Sequence, residues 1–307
     1  MLMLSECTCG AAQPTLLSED ADRKAIDDLS RQVKGRRGPL AQLTRAKRDQ
    51  LIAEVSAERS FEKAMGSARR DLLDLMELAI SSQDPQLLLQ LDDQQLMDFI
   101  MRGGMGLAVD EFIESQERIR EAALRGLQII EPNLDLASIP ELDTIQAQIT
   151  SQVFEDVILP DTKKAVRSAL TSISVGVPAE IIMSDLNLVL TRSTGRQLTE
   201  VKTAISQYGR SISAAAAVAA ELDHYLYTGP QDGITRAFCK PLVNKVVTSA
   251  QMSQLNNGQG LPVITSGGGY NCRHSWSPVT ASFIDSAGLD VAKPADIRQA
   301  NQGGKKR

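Results

Sequence analysis

Long apolar runs are missing from this 307-residue sequence. No stretch reaches the roughly 18 residues that a membrane-spanning helix needs. The opening, Met1 to Gly10, has neither the basic nor the apolar region of a secretory signal. The expectation is a chain that stays in the cytoplasm where it is made. Aromatic residues are scarce, at 4%, which argues against aromatic-rich sandwiches and base-stacking platforms and favours helices packed through aliphatic side chains. A basic excess is also absent, since 33 Lys and Arg face 38 Asp and Glu for a net charge of -5 and a pI near 5.3. Coating nucleic acid with the whole surface needs phosphate neutralisation that this balance cannot supply. With 4 cysteines there is no disulfide framework, so they read as thiols or metal ligands. Only 2 histidines are available as a general base, and nucleophile-elbow, Walker, His-Glu-x-x-His and dinucleotide fingerprints are all missing. An enzyme, a Cys/His- or metal-dependent hydrolase, therefore ranks last among the readings.

What is present is helical periodicity. At 42% hydrophobic and 23% charged, the chain can bury a sizeable core in two structural units. Residues 1–16, with Cys7 and Cys9, read as a flexible arm. Ser18 is positioned to cap a first helix reaching about Lys34, and Pro39 opens a helix to about Ser82. Asp84-Pro85 and Gly103-Gly104 divide further helical runs that continue to Ile130. These place a helical region at 17–131. Pro132 and Pro140 bracket a linker into a second helical region, 132–226, with helices over Glu141 to Leu159, Asp161 to Val175, Ala179 to Leu190 and Gln197 to about Leu226. Between Leu29 and Arg48 seven basic residues occur without an acidic one. A solvated helix face explains most such runs, but Arg36, Arg37, Lys47 and Arg48 are candidate contacts for nucleic acid or an acidic partner.

After Leu226 the composition turns to Gly, Pro, Asn, Thr and Ser, predicting a small α+β module over 227–287 and a polar tail over 288–307. Lys245 to Thr248 and Arg273 to Ser277 read as strands, and Ser249 to Leu255 as a short capped helix. The fold class is thus mainly α, with a long helical N-terminal region and a loop-rich C-terminal module. Cys272 and His274, two apart, share one face of a strand, and Cys239 can join them from a separate turn. A buried cluster of cysteine and hydrogen-bonded histidine is the leading reading. A zinc site is the alternative, its fourth ligand open among Asp232, His224, water, Cys7 and Cys9. Arg236, Arg273 and Asp232 are placed to tie loops together by ion pairs. Trp276 reads as core, and Gly267 to Gly269 as a tight turn.

Two segments carry more specific information. They are Tyr227-Thr-Gly-Pro-Gln-Asp232-Gly-Ile-Thr235-Arg236-Ala-Phe-Cys239 and Gly268-Gly269-Tyr270-Asn271-Cys272-Arg273-His274-Ser-Trp276-Ser-Pro278-Val279. Their combination resembles the C-terminal module of the MuF-like phage head morphogenesis family, over roughly residues 195–280. The resemblance picks out Asp232, Thr235, Arg236, Asn271, Arg273 and Trp276 as the structural motif. It implies a minor head protein in several copies, at the portal vertex or inside the capsid, assembled in the host cytoplasm and contacting portal protein, other head proteins and packaged DNA. An internal protein ejected with the genome is the second implication. The chain departs from the family pattern at Leu242, where a Cys-x-x-Cys pair would place its second cysteine. That departure excludes a four-cysteine zinc site in this module.

Overall fold

The structure, a computed structural model, describes residues 14–82, 90–134, 139 and 141–305. It is mainly helical with a small α+β C-terminal module. Helix α1 (Pro14–Val33) leads into α2 (Pro39–Ser82). The first thirteen residues of the expected arm, Cys7 and Cys9 among them, lie outside the described residues. Its end, however, belongs to α1: Pro14, which lacks the N–H that a first turn would leave unpaired, opens the helix upstream of Ser18. The break expected at Asp84-Pro85 also lies outside the described residues. Beyond it, Asp92 caps α3 (Asp93–Ile100) reciprocally with Gln95.

As expected, Gly103-Gly104 breaks the helical path: both residues leave helical backbone angles, at ψ 28° and −12°, in a kink within the wide turn Met101–Met105. Gly104 has φ +92°, and a Cβ there would lie 2.9 Å from the Ala68 backbone, so the turn presses on α2 where a side chain would not fit. Helix α4 (Gly106–Ile130) then runs along α2. Helix α5 (Glu141–Ser151) passes through a π segment, Gln152–Ile158, into α6 (Leu159–Ser174). Pro160 has no N–H for the helical ladder, and the widened turn brings the chain to it at the start of α6. The two helices expected between Ala179 and Leu226 are one, α7 (Ala179–Ala219). Gly195 lies inside it, its absent Cβ facing open space, so only propensity opposes continuity.

The core of this helical body is aliphatic, with one aromatic knot. Phe61, Phe112 and Phe154 meet edge to face at centroid distances of 5.6 to 6.1 Å, within an apolar core that extends to Leu72, Met76, Leu96, Ile100 and Ile119. Among the described residues, no helix is long and apolar enough to cross a membrane.

Helix α7 ends in a reversal in which Leu222 N–H donates to Ala217 O and Glu221 N–H to Val218 O. Strand β1 (His224–Thr228) follows and lies at the centre of the sheet. It pairs antiparallel with β2 (Lys245–Thr248) and with β3 (Ser275–Val279). Between these strands lie α8 (Ser249–Met252), capped by Thr248, and α9 (Val263–Ser266). Helix α10 (Ala281–Ala287), the short β4 (Asp290–Val291) parallel to β2, and α11 (Pro294–Lys305) complete the described chain. The polar tail expected over 288–307 is thus largely structure. Ala292, Ile297 and Ala300 are few apolar residues in a polar stretch, but their spacing puts them on one buried side.

The period of two along the strands explains how so small a sheet is stabilised. Tyr225, Tyr227, Val247 and Trp276 face the interior of the module, while Leu226, Val246 and Val279 face Leu43, Ile130 and Phe283. Both faces are buried, and the second one joins the module to the helical body.

Candidate functional site

Tyr227 is the centre of the module. It is fully buried and tilted against Trp276 at 4.1 Å between ring centroids, with His274 stacked at 5.3 Å. Its hydroxyl lies 3.3 Å from Cys239 Sγ and 3.6 Å from Cys272 Sγ. The two sulfurs are 3.8 Å apart, and Cys272 Sγ is 3.7 Å from His274 Nδ1. Cys239, Cys272 and His274 thus come together across 33 residues of sequence, with ligand atoms all within 4.8 Å of one another. His224, considered as a further ligand, is at the far end of β1, and Asp232 is committed to Arg273.

The turn of three glycines closes over these sulfurs. Gly267 has φ +53° and Gly269 φ +103°, and a Cβ on Gly268 would lie 2.6 Å from Cys239 Sγ. Gly268 N–H donates to Cys272 Sγ at 3.2 Å. The Cys239 thiol is held well above the usual range by its hydrogen bond with Cys272 and by burial. Cys272 is held well below that range, chiefly because it accepts from Cys239 and is further favoured by His274 and Arg210. Burial pushes the Tyr227 phenol well up.

The remaining motif residues hold the loops around this centre. Arg273 donates to both oxygens of Asp232, at 2.7 and 2.9 Å, and to Ala21 O of α1 at 3.0 Å. Burial works against the Asp232 carboxylate, but Arg273 outweighs it and keeps its pKa low. Thr235 accepts from Asp232 N–H and donates to Pro230 O. Arg236 spans from the first segment to the second by donating to the carbonyls of Gly268, at 2.7 Å, and Tyr270. Asn271, at φ +54°, accepts from Thr203 of α7. Trp276 Nε1 donates to Val263 O at 3.0 Å.

Beneath the module lies a buried charged layer that the sequence reading passed over. Arg210 of α7 donates to Thr265 O and Cys272 O. Lys47 donates to Gln50, which donates to Glu54, and Ser206 donates to the same carboxylate. Burial pulls Lys47 down to about 8 and pushes Glu54 up. Lys202 bridges Asp22 at 2.6 Å and Glu58 at 3.0 Å. Glu58 is raised to about 7, mainly by burial. A cavity of about 20 Å³ separates this layer from the module and is lined by Lys47, Glu54, Arg210, Arg273 and His274. Among the described residues, His274 Nε2 has no hydrogen-bond partner.

The candidate basic surface is smaller than the sequence suggested. Lys47 is 8% exposed and faces the interior, so it is not a surface contact. The helix turns it away from Arg48, which pairs with Asp49 at 2.7 Å. Arg45 donates to the carbonyls of Val33 and Arg36, stitching α1 to α2. Arg36 and Arg37 remain exposed and line a groove with Gly38, Pro39 and Asn244.

Apolar periodicity marked α2 as a helix, but Arg210 and Glu54 carry no motif signal of their own. A lysine, glutamate and arginine on two long helices reveal their pairing only once the helices cross. Compared with protein-family models, with curated proteins and with solved structures, the chain matches none.

Proposed function

We propose that this chain is a bacteriophage minor head protein that acts at the portal vertex in capsid assembly or genome delivery. The observation that carries the reading is the way the two motif segments form one unit. Asp232 to Cys239 and Asn271 to Val279 are knitted together by the Asp232–Arg273 pair and by Arg236 on the Gly268 and Tyr270 carbonyls. A motif spread over such a distance is expected to build a compact module rather than a linear recognition sequence. The module is mounted on α7 and on the start of α2 through Arg210 and Leu43, leaving a long helical body to engage other head proteins.

Burial favours a structural role for the cysteines and histidine over a catalytic one. Cys239, Cys272 and His274 are 0%, 4% and 3% exposed, whereas a nucleophile and its base need a cleft that admits substrate. In this reading the body binds portal protein, and Arg36 and Arg37 touch packaged DNA or an acidic partner surface. The test is fractionation of purified virions together with pull-down by portal protein. Presence of the chain in the particle and capture by the portal are expected. Virions without the chain, or no association with portal protein, overturn the reading.

A further inference from the structure

Two of the three distances among the ligand atoms of Cys239, Cys272 and His274 match a metal's coordination shell, and the third lies within 4.8 Å. A tetrahedral zinc ion with Zn–S about 2.3 Å and Zn–N about 2.0 Å sets its sulfurs roughly 3.8 Å apart and a sulfur and nitrogen roughly 3.5 Å apart. Here the two sulfurs are 3.8 Å apart, and Cys272 Sγ lies 3.7 Å from His274 Nδ1. The Tyr227 hydroxyl lies 3.3 and 3.6 Å from the same sulfurs, near the edge length expected for an oxygen on that tetrahedron. We propose that Cys239, Cys272 and His274 form a structural zinc(II) site, with the hydroxyl oxygen of Tyr227 at the fourth vertex.

Three further observations fit a metal. The backbone N–H of Gly268 points at Cys272 Sγ, a donor that stabilises a thiolate as ligand, and the missing side chain at Gly268 leaves room beside Cys239. His274, whose Nε2 has no hydrogen-bond partner among the described residues, lines a cavity of about 20 Å³ that also touches Glu54. That space is enough for one water, which would take the Nε2 proton's hydrogen bond and leave the Nδ1 lone pair directed at the metal. Charge also balances. With zinc in place two thiolates cancel the dication, any thiol proton still bound leaving to solvent, so the buried centre is neutral. The ion would join the Cys239 turn to the Asn271–His274 segment, the two loops that this small core must hold together.

The experiment uses the full chain produced with zinc in the medium. After gel filtration against a weak chelator, metal analysis should give about one zinc per chain, in line with the affinity of structural thiolate sites. Cobalt exchange should give the visible bands of a tetrahedral ion and a sulfur-to-cobalt charge-transfer band. Cys239→Ser, Cys272→Ser and His274→Asn should each abolish both signals. If these variants fail to fold, the metal content and cobalt spectrum of the unsubstituted chain decide alone. Tyr227→Phe should keep the cobalt signal but lose metal at lower chelator concentration; unchanged retention removes Tyr227 from the ligand set. A folded chain without zinc and without cobalt bands overturns the proposal. So does a Cys239–Cys272 disulfide, found as a linked peptide pair in a non-reducing digest.

Discussion

In the helical body, Phe112 touches Phe61 and Phe154 edge to face within an apolar core that extends to leucine, isoleucine and methionine. In the C-terminal module, Tyr227 is surrounded by sulfur, imidazole and indole, and the loops outside it are held by Arg273, Arg236 and Arg210 on carboxylate and carbonyl oxygens. The body is stabilised by non-directional apolar burial, so many sequences could supply it. The module relies on directional bonds between particular groups, which tolerate little exchange. That contrast explains why recognisable motifs lie in one region and not in the other.

Removing a ring from the body should have the largest effect. Phe112→Ala, at a fully buried position, should cost about 3 to 5 kcal/mol by cavity formation. Denaturant titration followed by far-ultraviolet circular dichroism would measure it. Trp276 is the only tryptophan and lies in the module, so its fluorescence reports that region. Its transition should shift less than the helical one. Equal shifts would show that the cluster shared by Leu43, Leu226 and Phe283 makes the two regions a single cooperative unit. Asp232→Ala should reverse the pattern. It leaves Arg273 largely buried without its partner, costing about 2 to 3 kcal/mol, and the fluorescence transition should move first.

A third test lies where the helices meet. The carboxyl of Glu58 is raised to about 7, so the folded chain holds its proton more tightly than the unfolded chain does. Its contribution is therefore complete below the ordinary carboxylate range and is lost as pH rises through about 7. Stability should fall over that window by about 1 to 2 kcal/mol from this group. Glu58→Gln should flatten the decline, as read from urea midpoints across the pH range. A decline unchanged by the substitution would assign it to other groups of the layer, Glu54 first.

Much of this architecture was legible before folding. Helix α2 follows from Pro39 and an unbroken apolar stripe to Ser82, and β2 and its capped helix from Val246-Val247 followed by Thr248. The meeting of Cys239 with Cys272 and His274 followed from their being the distinctive residues of a small module. Three features could not be read that way. The end of the chain is polar, but Ile297 and Ala300 find partners only because the module leaves a gap for them. Two helices were expected, ending at Leu190 and resuming at Gln197, yet a long helix supported along its length tolerates Gly195 between them. Lys47 looked like part of a basic surface because composition cannot reveal which way a helix faces until Glu54 and Arg210 are known to lie opposite.

The smallest effect on stability should come from the residues with the most direct bearing on partners. Arg36 and Arg37 are exposed on the turn between α1 and α2, so reversing both to Glu should change stability by no more than about 0.5 kcal/mol. Should the segment contact DNA, the double variant should bind it more weakly, and the unsubstituted chain should lose affinity steeply with added salt as neutralised phosphates regain their counterions. Lys47→Met provides the contrast. Because Lys47 is buried in the charged layer, its removal should leave the salt dependence unchanged. Electrophoretic mobility shifts at two salt concentrations separate the outcomes. Unchanged DNA and portal affinity in the double variant removes the segment from the binding surface, whereas a loss with Lys47→Met alone would mean that the buried layer, not the exposed turn, transmits binding.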